Sequence, residues 1–275
     1  MTRAPQAPYL PGMPRILPFV LCVLLSALPA RADWDAVAAR GTLRVLAVAV
    51  PGETEFLDLR PGKAPGFEQE LLQSFARQAG LRLELVAAEG WDRLVPELLA
   101  GRGDLIAGRF TDTAARREAI VFSVPVFPTR AVVVTRKPAA PVTGLDALRR
   151  LKVGLVGGTS LAELLAAAGV PAGQVDASIP SGGAFAALKA GRVEAVVEEV
   201  SGAILASKAD PSLQLGLFLG PPGAYAWGLR KDDVELRRRL NEHLDVVRRT
   251  PTWSRLVVKY FGESALDVLK KARGD

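Results

Sequence analysis

Arg116 is the residue whose type and setting most invite a chemical reading. Its guanidinium presents a planar fork of donors that matches a carboxylate with two parallel hydrogen bonds. It follows Thr113-Ala114-Ala115 in a polar stretch that also holds Arg109 and Thr111. The duller alternative is a solvated arginine beside Arg117. Arg109 would add a second cation, suited to a ligand with a further acidic group, or it turns to solvent or pairs with Glu199. Glu198 and Glu199 are adjacent carboxylates at the end of an apolar run, Ala195 to Val197. Thr159 and Ser160 head a helical stretch, where free backbone N–H groups and a hydroxyl suit an anion; ordinary helix capping would use the same residues. Trp91 and Phe56 are the aromatic candidates for a binding wall, since a ring stacks on a ligand or covers a cation. Trp91 also fits the apolar stripe of its own helix, whereas Phe56 stands in a loop with little else apolar nearby.

Other chemistries are short of parts. His243 is the sole histidine and falls among polar residues of a C-terminal helix, which predicts a solvated position. Cys22 is the sole cysteine and lies in an apolar run near the N-terminus. With one histidine a zinc site and a histidine-based triad are not expected, and with Cys22 in the segment expected to be cleaved, neither are a disulfide, a thiolate metal site or a cysteine nucleophile. Gly154 to Ser160 is no phosphate loop, because no lysine follows the glycines. No cofactor is expected.

Arg3 and Arg15 precede an uncharged apolar run, Ile16 to Leu28, and Ala30-Arg31-Ala32 follows it. Charged start, short apolar middle and A-x-A end form the pattern of a secretory signal, so cleavage after Ala32 and a periplasmic location are expected. A spanning helix needs about 20 apolar residues, and this run is shorter and contains Pro18. Residues 1–32 hold three Arg and no acid. Without them 32 Lys and Arg face 29 Asp and Glu, a net charge of +3 instead of +6. So small an excess gives no support to nucleic-acid binding.

The candidates need a scaffold, and the pattern supplies one. Leu43 to Val50 reads as a strand, Phe67, Leu71, Leu72 and Phe75 recur at helical spacing, and Gly80 stands where a left-handed helix stop is wanted. Leu81 to Leu85 alternates as a strand does; Trp91, Leu94, Val95, Leu98 and Leu99 read as a helix; Leu105 to Ala107 is a further strand. A second alternating set follows Pro128: strands at Val132–Val134, Val153–Val156 and Ala195–Val197, helices at Leu145–Leu151 and Ser160–Ala168. Two amphipathic helices close the chain, marked by Leu236 to Val247 and Trp253 to Phe261. Alternation of this kind predicts parallel sheets covered by helices, in two α/β halves. Ligands of open α/β sheets sit beyond the carboxyl ends of the strands, here the loops after Val50, Val86, Ala107, Val156 and Val197.

At those loops the chain resembles the family 3 extracellular solute-binding proteins. The resemblance runs through Gly66-Phe67-Glu68-Gln69-Glu70-Leu71, Trp91 to Leu98, Thr111, Thr113 and Arg116, and Phe122-Ser123-Val124-Pro125. It continues through Val153 to Ser160, Gly191 to Glu199, Gly228-Leu229-Arg230-Lys231 and Lys259-Tyr260-Phe261-Gly262. The solute-binding module of membrane-bound lytic transglycosylases is also similar. The resemblance implies the bilobed periplasmic-binding-protein type II fold, with residues 33–130 and 225–275 in lobe 1 and 131–224 in lobe 2, joined by two crossing hinge segments. It places Arg116 where such proteins hold a ligand's α-carboxylate, Thr111 where a hydroxyl assists, and Glu199 where an Asp usually meets the ammonium. Glu68 and Glu70 serve hinge geometry and helix-start electrostatics on this reading. A monomer is expected, capturing an amino-acid-like ligand for an inner-membrane ABC permease or a sensor. Two alternatives stay open: a periplasmic enzyme like the cyclohexadienyl dehydratases, with Glu198 or Glu199 as general acid, and a degenerate module recognising a partner or a cell-wall fragment.

Overall fold

The computed structural model describes residues 34–49, 54–157, 161–180 and 182–274. The expected export segment, Thr159 and Ser160 lie outside the described residues. The chain first runs α1 (Trp34–Arg40), β1 (Thr42–Val48), α2 (Phe67–Gln78), β2 (Arg82–Ala88), α3 (Leu94–Leu99), β3 (Leu105–Ile106), α4 (Ala114–Ala119) and β4 (Val121–Phe122). It continues as β5 (Phe127–Arg136), α5 (Leu145–Leu148), β6 (Val153–Val156), α6 (Leu161–Ala167), β7 (Val175–Ile179), α7 (Ala184–Lys189), β8 (Ala195–Glu199), α8 (Val200–Ala209) and β9 (Leu213–Tyr225). It then returns through β10 (Gly228–Leu229), α9 (Val234–Arg249), α10 (Thr252–Phe261) and α11 (Ala265–Arg273).

These strands form two five-stranded sheets, β2-β1-β3-β10-β4 and β7-β6-β8-β5-β9. β1 pairs in parallel with β2 and β3, and its Thr-Leu-Arg-Val-Leu-Ala-Val run is apolar towards both faces, as a central parallel strand requires. Val45 and Ala47 feed one buried cluster and Leu46 another. β2 alternates because it is an edge strand: Arg82 and Glu84 face solvent while Leu83 and Leu85 turn inward. The second sheet repeats the scheme, with β6 parallel to β7 and β8. What departs from the all-parallel expectation is the half of each sheet nearest the crossings. β5 and β9 run antiparallel in the second sheet, and β10 lies antiparallel between β3 and β4 in the first. The chain leaves the first sheet after β4 and must come back to fill the slot beside it, and that return reverses direction.

The two crossings are paired to each other. Phe127, Pro128 and Thr129 register with Tyr225, Ala224 and Gly223. The Val126 N–H donates to the Tyr225 carbonyl at 2.8 Å, and the Ser123 N–H to the Trp227 carbonyl at 2.9 Å. Around them lies an aromatic junction of Phe56, Phe67, Phe127, Tyr225 and Phe261. Phe56 stands 5.1 Å from both Phe127 and Phe261, 5.7 Å from Tyr225 and 6.0 Å from Phe67, between ring centroids. α11 packs against β5, β9 and α8, on the second sheet.

Four expectations are corrected here. Phe56 is a core residue, 4% exposed, and not a binding wall. The Phe67 and Glu68 N–H groups donate to the Glu55 and Phe56 carbonyls at 2.6 and 2.9 Å, which ties this loop over the start of α2 and turns the ring inward. Gly66 permits the approach, because a Cβ there would stand 2.4 Å from the Phe56 carbonyl carbon. His243 is buried between α2 and α9: its Nδ1 faces the Gln78 Oε1 at 2.8 Å and its ring meets the Phe75 ring edge-on. Burial holds its basicity below the ordinary histidine value. Trp91 precedes α3 and is exposed, so it belongs to no helical stripe. A third C-terminal helix, α11, follows the expected two; it buries Ala265, Leu269 and Ala272, and two alanines make a faint apolar pattern.

Phe56→Ala is predicted to cost about 3–5 kcal/mol of stability in urea unfolding, the range for deleting a buried ring. A loss below about 1 kcal/mol, typical of a surface position, would place the ring outside the core.

Candidate ligand-binding cleft

The loop from β3 to α4 carries Arg109, Thr111 and Arg116, and its course is fixed from two directions. Gly108 and Arg109 take positive φ, +86° and +62°. That conformation is easy for glycine and uncommon for arginine. Glu68, buried in α2, holds the turn: its carboxylate accepts the Gly108 N–H at 3.0 Å and the Arg109 N–H at 2.7 Å. It also accepts the Trp227 indole N–H at 3.1 Å, which links the turn to the return crossing. Burial pushes the Glu68 carboxyl above its ordinary value, against these three hydrogen bonds and the positive charge of Arg109. Beyond the turn, Thr111 forms an antiparallel bridge with Tyr225, and the Ala226 and Asp112 N–H groups donate to the Phe110 and Ala224 carbonyls, each at 3.0 Å. Loop and crossing thus form one backbone unit.

Arg116 rises from that unit on the first turns of α4, whose N-terminus Thr113 caps by accepting the Arg116 N–H at 3.3 Å. The guanidinium lies over the Phe110 ring, 4.1 Å from its centroid, and Nη1 donates to the Thr111 carbonyl at 2.6 Å. Its neighbour Arg117 is paired bidentately with Asp112, at 2.5 and 2.6 Å. Among the described residues no carboxylate stands within ion-pair distance of Arg116. The group is half-buried, and burial alone pulls its pKa below the arginine value.

The second sheet contributes carboxylates. Glu199 ends β8 and begins α8, and its carboxylate accepts the Thr129 hydroxyl from the first crossing. The Glu198 carboxylate accepts the Glu199 N–H at 2.9 Å. Tyr225, the last residue of β9, shares a 3.1 Å hydrogen bond with Ser201 on α8. Its phenol is pushed up to about 12, by burial first and by the negative charge of Glu199 second. Arg109 acts on Tyr225 in the opposite sense, so a cation of the first sheet and an anion of the second reach the same phenol.

The structure therefore gathers Arg109, Thr111, Arg116 and Glu199 around the crossings. It moves Phe56 into the core and leaves Trp91 exposed at the turn after β2. Thr129, Ser201 and Tyr225 join the polar cluster without having been singled out in sequence. Tyr225 ends a strand rich in glycine and proline, and Thr129 follows Pro128, so neither stands out before the crossings are seen to pair. Among the described residues no group of three His, Cys, Asp or Glu side chains could hold a metal ion.

A family model for the bacterial extracellular solute-binding proteins, family 3, matches residues 46–263. The chain belongs to this family. Family 3 relatives include the probable amino-acid-binding protein YxeM of Bacillus subtilis, 27% identical over 252 residues, covering 89% of this chain and 94% of that one. The membrane-bound lytic murein transglycosylase F of Desulfosudis oleivorans is 26% identical over 202 residues, covering 71% of this chain. The chain spans only 44% of that transglycosylase's length. Among solved structures, an ancestral cationic amino acid solute-binding protein superposes with a TM-score of 0.72 at 25% identity, covering 82% of this chain and 98% of that one. The fold is thus the bilobed type II periplasmic one, as the family resemblance implies.

Glu68→Gln is predicted to lower unliganded stability by about 1–3 kcal/mol, because an amide must set a donor against one of three N–H groups. Chemical denaturation checks this; unchanged stability would contradict the positioning role.

Proposed function

We propose that this family 3 protein captures a small carboxylate-bearing ligand, an amino acid or a derivative of one, between two lobes that close upon it. The observation that carries the reading is Arg116, half-buried on the Phe110 ring with no acid in reach among the described residues. A guanidinium withdrawn from water is costly without a counter-charge, and a ligand carboxylate supplies one with matching geometry. Across the crossings, Glu199 and Glu198 offer carboxylates to a ligand ammonium. Contacts from both lobes favour the closed state in proportion to their differential affinity. The names of YxeM and of the ancestral cationic amino acid binder support an amino acid as ligand.

Lobe 1 comprises residues 33–130 and 225–275 and lobe 2 residues 131–224, with α11 riding on the second sheet. Thr159 and Ser160, which lie outside the described residues, and the exposed Trp91 are proposed as further ligand contacts from the family resemblance. Export follows from the N-terminal pattern, with cleavage after Ala32. The monomeric protein then acts in the periplasm, delivering its ligand to an ABC permease or a sensor.

A thermal-shift screen against amino acids, dicarboxylates, polyamines and muropeptides is predicted to find an amino acid that raises the melting temperature. Arg116→Ala should weaken that ligand by about 30-fold or more, the cost of stripping one partner from a desolvated charge pair. Arg116→Lys should recover only part of it, since an ammonium lacks the fork. A shift that survives Arg116→Ala would contradict the clamp. Release of phenylpyruvate from prephenate would replace it with the enzyme reading.

A further inference from the structure

A second cationic site lies at the crossings, walled by the C-terminal helices. A cavity of about 550 Å³ is lined by Pro125–Pro128 of the first crossing, Gly223 and Ala224 of the second, and Arg248, Trp253, Ser254 and Arg273. None of the residues gathered around Arg116 and Glu199 lines it. Its size falls within the range that holds small organic ligands. The two arginines come from different helices of the C-terminal segment. Arg248 is in the last turn of α9, which packs on α2 beside the first sheet, whereas Arg273 ends α11, which packs on β5 and α8 of the second. Trp253 fixes the wall between them: its indole N–H donates to the Val126 carbonyl at 3.0 Å, and the Arg273 guanidinium lies 5.0 Å from its ring centroid.

The charges in this cavity are unbalanced. Among the described residues neither Arg248 nor Arg273 has a carboxylate within ion-pair distance, whereas Arg238 and Arg239 of α9 both pair with Glu235. Asp245 is the one acid whose field reaches Arg248, and Arg273 opposes it with a like charge. Two guanidiniums around one cavity, neither within ion-pair distance of a carboxylate among the described residues, form a site complementary to a ligand carrying two or more negative charges.

We propose that this cavity binds a small organic polycarboxylate, carrying two or three negative charges, that joins Arg248 to Arg273 beside the paired crossings. Because both crossings form its walls, occupancy acts on the same lobe movement as the cleft ligand, at a distinct site.

The test is isothermal titration calorimetry of the full chain with citrate, at ionic strength held constant with sodium chloride. The expected result is saturable binding that the Arg248→Gln, Arg273→Gln double variant weakens by about tenfold or more, as loss of charge-assisted hydrogen bonds requires. Ser254→Asp, which adds a carboxylate to the same wall and leaves both arginines in place, should weaken it likewise, so the outcome does not depend on the double variant folding. Arg116→Ala should leave citrate binding unchanged, which separates this site from the cleft. No saturable heat, or binding that survives both the double variant and Ser254→Asp, would overturn the proposal. Loss of citrate binding in Arg116→Ala would move the anion to the cleft and also overturn it.

Discussion

Everything in this molecule turns on two peptide segments that lie side by side. The chain must leave its first sheet after β4, build a whole second sheet, and return to place β10 between β3 and β4. Pairing 127–129 with 223–225 in antiparallel register satisfies the backbone polar groups of both crossings with each other. The aromatic junction of Phe56, Phe67, Phe127, Tyr225 and Phe261 keeps water from that pairing. The paired residues are few, and the structure on either side of them is sheet and packed helix.

The same crossings organise the chemistry. Tyr225 pairs its backbone with Thr111 and its phenol with Ser201; Trp227 gives its indole N–H to Glu68, which holds the Gly108–Arg109 turn. Thr129 gives its hydroxyl to Glu199. Arg109, Thr111, Arg116 and Glu199 are therefore each linked to a crossing residue through one or two hydrogen bonds or a strand bridge. Charge is divided accordingly, with Arg109 and Arg116 on the loop of the first sheet and Glu198 and Glu199 at the end of a strand of the second.

Much of this was legible in the residues themselves. Sequence pattern located the parallel strands β1, β2, β3, β6 and β8 and the helices α2, α9 and α10, but not the parallel strand β7 or α8, and Gly80 marked the left-handed stop after α2, with φ +68°. The carboxyl-end rule led to the loop after β3 and to Glu199. Pairing between distant segments was not legible. Nothing local in Phe56 distinguishes a ring facing a ligand from one facing Phe127, 71 positions away. His243 sits among Glu242, Asp245 and the arginines of α9, yet the helix turns it onto Phe75. Thr129 and Tyr225 acquire meaning only from the crossing geometry. Phe56, His243, Thr129 and Tyr225 share one property, which is that a non-local contact decides their role, whereas α11 was missed because its buried stripe is mostly alanine.

Closure is the central claim, and small-angle X-ray scattering tests it most directly. The titrant is the amino acid with the largest melting shift. The account predicts a radius of gyration that falls saturably as the amino acid binds, as two lobes folding together require. Binding that saturates while the radius of gyration stays constant would contradict it.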